Sequence, residues 1–190
     1  MKIGLFGGTF NPIHFGHIRL ARQLLQSAGL DEVWFMVTPQ NPFKVNHELL
    51  WDRTRYRMVE MALQRYKRLI ASDYEFRLPK PSFTWNTLQA LSKDYPNHTF
   101  TLLIGGDNWT SFPKWYRASD ILAHHDIVVY PREGSSYDMD TLPPRVKIIE
   151  TKRIPISSTL VRQRVAAGKS ISRLVPKSVA DYIYQEHLYQ

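Results

Sequence analysis

The chain has 190 residues, which is enough for one α/β domain and short for two well-packed ones. Hydrophobic residues make up 43% of it and cysteine is absent, which excludes wholesale disorder, a disulfide scaffold, a thiol nucleophile, a Cys-based zinc site and an iron–sulfur cluster. The formal net charge of +8 indicates an anionic partner, a class that includes nucleic acid, nucleotides and phosphorylated metabolites.

Apolar runs alternate with amphipathic segments along the whole chain. Strands are predicted over residues 2–6, 32–38, 68–72, 99–104, 127–130 and 146–150. Helices are predicted over residues 17–28, 52–66, 84–94, 157–167 and 178–186. This alternation predicts an α/β fold of Rossmann-like, doubly wound type: a mostly parallel sheet of five to six strands with helices on both faces. Because no repeat or Gly/Ser-rich linker divides the chain, residues 1–190 are expected to form a single domain.

The loop after the first predicted strand has the sequence GGTFNPIHFGH and is the first candidate site, because ligands of parallel sheets bind where strands end. Gly7 and Gly8 let the backbone approach a ligand, although their spacing fits neither the dinucleotide fingerprint nor a Walker loop. His14 and His17 are three residues apart at a helix start, so both can face one ligand, and that helix end favours an anion. A packed histidine pair and a zinc site are the alternatives, but the pattern favours a phosphate site.

Two later segments have similar potential. Ser157, Ser158 and Thr159 place three hydroxyls at a predicted helix start, where an ordinary N-cap would account for them. Arg162, one turn later, favours an anion site, because hydroxyls, free N–H groups and a guanidinium then converge. Asp107 follows Gly105 and Gly106 at the end of a strong strand and is predicted, from its position alone, to cap the next helix.

These blocks carry a resemblance to a known family. GGTFNPIHFGH is similar to the signature of the nucleotidylyltransferase superfamily. The resemblance narrows to the bacterial nicotinate-nucleotide adenylyltransferases through PSFTWNTL (81–88), IGGD (104–107), FPKWY (112–116) and ISSTLVR (156–162). These blocks span about the whole chain. In that family, the phosphate of nicotinate mononucleotide attacks the α-phosphate of ATP, so that deamido-NAD forms and pyrophosphate leaves.

The resemblance implies a role for each matching residue. The implied catalytic residues are His14, His17, Lys44 and Arg162, with both imidazoles donating hydrogen bonds to the triphosphate. The implied ATP-binding residues are Gly7, Gly8, Thr9, Phe10, Gly105, Asp107, Ile156, Ser157 and Ser158, with Asp107 on the ribose hydroxyls and the serines at the β- and γ-phosphates. The implied acceptor-binding residues are Asn41, Thr84, Trp115, Tyr116 and Arg132, with Trp115 stacking on the pyridine ring.

The sequence departs from the family's pattern at two places. Asn11 stands where many relatives have Asp, and a turn-stabilising role is expected for either residue. Phe43 precedes Lys44 where many relatives have a longer Pro-rich stretch with His. Thr84, Tyr116 and nearby N–H groups would bind the acceptor's carboxylate with neutral donors. We therefore expect nicotinate mononucleotide to be preferred over the nicotinamide form, because a carboxamide would leave donors unpaired.

The resemblance also implies the ligands. ATP is expected as a substrate, with Mg²⁺ held mainly by phosphates and water, and without dedicated protein metal ligands. Because no apolar run of about 18 residues and no signal peptide are found, we expect a cytoplasmic protein that does not bind a membrane. Because no recognisable nucleic-acid-binding module is found either, we expect no nucleic-acid partner. The open alternatives are transfer of an adenylyl or cytidylyl group to another phosphorylated acceptor such as phosphopantetheine, a non-catalytic nucleotide- or RNA-binding protein, and a metal-dependent hydrolase.

Overall fold

The computed structural model describes residues 1–39, 49–132 and 141–190. The strands within these ranges are β1 (Lys2–Gly8), β2 (Glu32–Val37), β3 (Leu69–Ser72), β4 (Thr99–Gly105), β5 (Asp126–Tyr130) and β6 (Val146–Ile148). The helices are α1 (Phe15–Ser27), α2 (Asp52–Leu63), α3 (Thr84–Asp94), α4 (Gly106–Ser111), α5 (Ala118–His124), α6 (Ser158–Ala166) and α7 (Lys177–Gln185). Two 3₁₀ helices cover Tyr74–Arg77 and Phe112–Lys114.

All six strands lie in one parallel sheet, in the order β3-β2-β1-β4-β5-β6. The chain therefore winds outward from β1 to β3 and then restarts on the other side of β1 with β4. Such a reversal opens a crevice outside the carboxyl ends of the two central strands. These ends are Gly8 of β1 and Gly105 of β4, and both precede loops that the sequence marks as candidate sites.

Apolar side chains of the central strands alternate between the two faces of the sheet, as a period of two requires. Phe6 and Leu103 belong to one buried cluster, which includes residues of α1, α2, α6 and α7. Leu5 and Leu102 belong to a second cluster, which includes residues of α3 and α5. The predicted doubly wound, mostly parallel sheet with helices on both faces is confirmed, with six strands in the described ranges.

The predicted element ends agree with the structure to within a few residues. Helix α1 begins at Phe15 rather than His17, because His14 caps it. The short helices α4 and α5 were not predicted. Helix α4 has six residues, and α5 has seven and begins after Arg117, whose backbone is left-handed at φ 55°. None of the helices in the described ranges has the length and apolar character needed to cross a bilayer.

Candidate active site

The turn after β1 is built around a buried phenylalanine. Phe10 has a left-handed backbone at φ 46° and is 2% exposed. Its ring packs edge-on against Phe6 and His17, at centroid distances of 5.8 and 5.1 Å. A Cβ at position 8 would lie 2.9 Å from this ring, so Gly8 is required for the ring to fold under the turn. The side chain of Phe10 thus supports the turn from below, and the implied ATP contact has to come from its neighbours.

His14 and His17 hold each other in one orientation at the start of α1. The Nδ1 atom of His14 accepts a hydrogen bond from the backbone N–H of His17, and His17 Nδ1 accepts one from the N–H of His14, both at 3.3 Å. The two rings stack with centroids 3.6 Å apart. A backbone N–H can only donate, so both Nδ1 atoms are unprotonated and each neutral ring carries its proton on Nε2. The capping arrangement therefore leaves two Nε2–H donors.

Both imidazoles are neutral at physiological pH. Burial, followed by the charge of Arg132, lowers the pKa of His14 to about 3. Burial, the neighbouring His14 and Arg132 hold the pKa of His17 well below its usual range. The pair can therefore bind an anion through hydrogen bonds without needing to be protonated, and an arriving phosphate would stabilise the cationic forms.

Helix α6 is bonded directly to the turn that carries the histidines. Ser158 Oγ donates to the backbone oxygen of Pro12 at 2.9 Å, and Arg162 Nη1 donates to the backbone oxygen of Asn11 at 2.9 Å. A Cβ at Gly16 would lie 3.2 Å from the backbone oxygen of Ile156. The two segments that the sequence singled out as anion sites are thus neighbours at one edge of the sheet.

Two of the three hydroxyls at the start of α6 already have partners within the protein. Ser157 caps the helix, because its Oγ accepts from the N–H of Leu160 at 3.1 Å, and Ser158 is bonded to Pro12. The ordinary N-cap interpretation therefore holds for Ser157. Backbone N–H groups of the first turn, and the remaining capacity of these hydroxyls, are what this helix end can offer an anion.

Asn11 joins three distant parts of the chain. Its Oδ1 accepts from the hydroxyl of Tyr189 at 2.8 Å and from the N–H of Leu50 at 3.4 Å, while its backbone oxygen accepts from Arg162. The expected turn-stabilising role of Asn11 agrees with these bonds. The sequence analysis did not identify Tyr189, which lies 178 residues away in sequence.

A buried arginine clamps the same turn from α2. Arg55 is fully buried and donates to the backbone oxygens of Thr9, Thr38 and Leu50, and its Nη2 pairs with Asp52 at 2.7 Å. Sequence analysis missed it, although a signal was present. Arg55 is the charged member of the buried stripe of α2, whose other members are Met58, Val59, Ala62 and Leu63.

At the carboxyl end of β4, Asp107 does not cap the helix. Gly105 is the N-cap of α4 and no side chain caps it, so the predicted cap is wrong. Asp107 lies one residue inside α4 and pairs instead with Arg132, at 3.7 Å between Oδ1 and Nε. A Cβ at Gly105 would lie 2.5 Å from Asp107 Oδ1 and 3.0 Å from Arg132 Nε, so glycine is what lets this pair form. An implied ATP-binding residue and an implied acceptor-binding residue are thus direct neighbours.

A cavity of about 470 Å³ opens at the same edge of the sheet. Its lining includes seven residues from three groups that the sequence assigns to ligands, namely Gly7, Gly8 and Thr9; Asp107; and Thr84, Trp115 and Tyr116. Trp115 is half-buried and packs against Phe112 at 5.3 Å, so it borders the cavity as well as the core. The first turn therefore connects the histidine pair to the cavity.

The cavity also contains a carboxyl group that the sequence analysis missed. Glu75 is 7% exposed and lines the cavity from the 3₁₀ helix Tyr74–Arg77. Burial raises its pKa to about 7. Two implied site residues, Asn41 and Lys44, lie outside the described residues. In the described ranges, no group of three or more His, Asp or Glu side chains is placed to hold a metal ion.

Known proteins resemble this chain along its whole length. A family profile described as cytidylyltransferase-like matches residues 5–164. A protein of Bacteroides fragilis is 45% identical, covering 97% of this chain and 92% of its own length, and one of Flavobacterium johnsoniae is 42% identical, covering 100% of both. Each is named "Probable nicotinate-nucleotide adenylyltransferase".

Solved structures share the fold. The nicotinic acid mononucleotide adenylyltransferase of Plasmodium falciparum complexed with NaAD superimposes with a TM-score of 0.82 at 19% identity, covering 99% of this chain and 97% of that one. The same Plasmodium enzyme complexed with APC gives a TM-score of 0.81, covering 99% of this chain and 96% of that one. At this level of identity the likeness shows the fold alone.

Proposed function

This chain belongs to the cytidylyltransferase-like family and, within it, to the nicotinate-nucleotide adenylyltransferases, and we propose that it transfers the adenylyl group of ATP to nicotinate mononucleotide, forming deamido-NAD and pyrophosphate. The observation that carries the proposal is that one edge of the sheet joins an imidazole pair with two free donors to a cavity bordered by Trp115. We include in the proposal a single domain over residues 1–190 and a cytoplasmic location.

The polyphosphate of ATP is assigned to His14, His17 and the first turn of α6. The acceptor's phosphate is already an anion near neutral pH, so the reaction needs no general base. It needs alignment of two repelling phosphates and donors for the charge that grows on the transferred group and on the leaving pyrophosphate. The two Nε2–H groups supply such donors, and the Nδ1 bonds to the backbone hold them in place before ATP arrives.

We assign the remaining ATP contacts to residues at the ends of β1 and β4 and at the start of α6. We assign the ribose hydroxyls to Asp107, whose carboxylate is half-exposed and lines the cavity beside Gly105. Arg162 adds positive charge next to the histidine turn that it holds through Asn11. The implied roles of Gly7, Gly8, Thr9, Ile156, Ser157 and Ser158 are kept as backbone and hydroxyl contacts to ATP.

The acceptor is assigned to the cavity. Trp115 would stack on the pyridine ring of the acceptor. The acceptor's carboxylate would bind at the first turn of α3, next to Thr84 and Tyr116. Helix α3 offers N–H donors there because its N-cap, Phe83, makes no side-chain cap hydrogen bond. Asn41, Lys44 and Arg132 keep the roles that the resemblance implies.

Mg²⁺ is proposed to be held by phosphate oxygens and water. Asp107 is the carboxylate that we assign to the ATP end of the cavity. It is paired with Arg132, which agrees with an ion held by the ligands rather than by the protein. When bound, the ion would neutralise phosphate charge, and no role derived above for the chain's own residues depends on it.

Pyrophosphate release tests the proposed function. The purified protein is incubated with ATP and Mg²⁺ together with nicotinate mononucleotide, nicotinamide mononucleotide or phosphopantetheine. We expect release with nicotinate mononucleotide at a kcat/KM at least about tenfold above that with the nicotinamide form, because a carboxamide leaves donors unpaired. Equal efficiency with both mononucleotides would contradict the assigned selectivity, and release with phosphopantetheine alone would contradict the assigned reaction.

A further inference from the structure

The cavity assigned to the acceptor collects buried polar atoms that lack a partner. Within the described ranges, five buried side-chain nitrogen or oxygen atoms have no hydrogen-bond partner. Three of them, Glu75 Oε2, Ser82 Oγ and Trp115 Nε1, belong to residues that line this cavity. Glu75 and Ser82 are only 7% and 6% exposed. Since buried polar atoms are nearly always paired, such a concentration indicates a polar ligand that completes them.

The free oxygen of Glu75 is held beside the first turn of α3. Glu75 Oε1 accepts a hydrogen bond from the hydroxyl of Thr87 at 2.7 Å. Thr87 lies three residues after Thr84, so both are on the same face at the start of the helix. This is the helix end whose N-cap, Phe83, provides no side-chain hydrogen bond, and to which the acceptor's carboxylate is assigned.

An ionised Glu75 would repel a carboxylate bound next to it. Burial raises the pKa of Glu75 to about 7, and the hydroxyls of Thr87 and Thr38 oppose this only in part. These two hydroxyls are the groups that act on Glu75 from neighbouring elements, and neither of them is charged. The ionisable side chains that share the cavity with Glu75 are Asp107, Lys114, Tyr116 and Tyr130.

We propose that Glu75 is a specificity-determining residue for the acceptor: as a neutral carboxyl group, it donates an Oε2–H hydrogen bond to the carboxylate of nicotinate mononucleotide, next to Ser82 Oγ. The inference depends on the proposed function. When the acceptor binds to protein in which Glu75 is ionised, the side chain takes one proton from solvent and no covalent bond changes in the ligand. A carboxamide gains less from this donor, since hydrogen bonds to charged acceptors are the stronger ones. Binding of the nicotinate form is therefore linked to proton uptake.

Calorimetric titration measures this uptake directly. Nicotinate mononucleotide is titrated at pH 8 into the full-length protein saturated with a non-hydrolysable ATP analogue, in two buffers that differ in ionisation enthalpy. We expect the wild-type protein to take up at least about half a proton more than Glu75→Gln. The comparison between variants removes the contribution of the ligand's own phosphate. Glu60→Gln, the same change at an exposed position on α2, should match the wild type.

Binding affinities provide the second readout. At pH 6.5, Glu75→Gln should bind nicotinate mononucleotide within about threefold of the wild type, because its amide supplies a donor, whereas Glu75→Ala should bind at least tenfold more weakly. Equal proton uptake by the wild type and Glu75→Gln, or unchanged affinity in Glu75→Ala, would overturn the proposal and indicate that water completes Glu75. If the wild-type protein bound no nicotinate mononucleotide at all, the proposed function itself would fail.

Discussion

The two halves of the candidate active site differ in how their polar groups are satisfied before a ligand binds. On the polyphosphate side, the histidine pair, Ser157, Ser158 and Arg162 all make hydrogen bonds within the protein. In the acceptor cavity, Glu75, Ser82 and Trp115 each keep a buried polar atom without a partner. One half is therefore preorganised by its own bonds, and the other is completed by its ligand.

This difference matches what each ligand demands. Charge that develops during phosphoryl transfer is stabilised best by donors that do not have to reorganise, which the reciprocal cap of His14 and His17 ensures. Discrimination between two acceptors that differ in one polar group depends instead on buried atoms that only the correct ligand pairs. In a site built in this way, the polyphosphate half determines the rate of transfer and the acceptor half determines the selectivity.

Replacing His17 breaks the preorganised half and should have the largest effect. Loss of one Nε2–H donor is expected to lower kcat by about 10²–10³-fold in His17→Ala. His17→Gln should lose much less, because a glutamine three residues after the N-cap can keep the bond to the backbone N–H of His14 while its amide still supplies an N–H donor. Steady-state kinetics and urea unfolding measure both effects. Near-normal turnover in His17→Ala would refute the assignment.

Replacing Glu75 tests the unsatisfied half through stability. Because the pKa is raised to about 7 from an ordinary value of 4.5, the folded state holds the proton more tightly than the unfolded state. The free energy of unfolding of the wild type should therefore fall as the pH rises from about 4.5 to 7 and then level off. Glu75→Gln removes this loss and should be more stable than the wild type by about 3 kcal/mol at pH 8, and by about 1 kcal/mol or less at pH 5.

Urea unfolding at both pH values, with Glu60→Gln as the exposed control, checks this prediction. A stability difference between Glu75→Gln and the wild type that does not change with pH would show that the carboxyl group of Glu75 titrates normally. Glu75 would then not distinguish the acceptor half from the preorganised half.

Replacing Arg162 removes a contribution of α6 to the preorganised half. Arg162→Ala removes a positive charge and the bond to the backbone oxygen of Asn11. A charged donor to a phosphate contributes about 1.5–3 kcal/mol, so loss of the proposed contact between Arg162 and the polyphosphate should raise KM for ATP about 10–100-fold. KM for nicotinate mononucleotide should change much less. A larger effect on the acceptor than on ATP would mean that the two subsites are exchanged.

Removing one hydroxyl at the far end of the chain should have the smallest effect. Tyr189→Phe loses the bond to Asn11 Oδ1, and the free energy of unfolding should fall by about 1 kcal/mol. Tyr184→Phe, at an exposed position on α7, is the matched control. Urea unfolding of both variants gives the difference. If Tyr189→Phe were as stable as Tyr184→Phe, the C-terminal bond would contribute nothing to holding the turn.

Features that depend on local pattern were predictable from the sequence. Strand and helix alternation predicts the six-stranded parallel sheet, and the spacing of His14 and His17 predicts that they share one helix start. The glycine pair before Asp107 indicates the turn after β4. It does not indicate that the Asp107 carboxylate pairs with Arg132 instead of capping the helix. That distinction depends on where β5 ends, which is a property of the sheet.

Features that depend on long-range contacts were not predictable. Tyr189 reaches Asn11 only because the end of the chain, after α7 packs against α2, returns to the turn that follows β1, and no local signal marks the two residues as partners. Glu75 lies in a short 3₁₀ helix without a periodic pattern, so its burial follows from β2 and α3 closing over it. Arg55 is the intermediate case, since a charge on an apolar stripe is visible in the sequence but its three carbonyl partners are not.

The most direct measurement is a crystal structure of the protein with a non-hydrolysable ATP analogue. It should show polyphosphate oxygens within about 3.2 Å of the Nε2 atoms of both His14 and His17, with the first turn of α6 facing the same phosphates. A triphosphate bound away from both imidazoles, with α6 making no contact to it, would contradict the account.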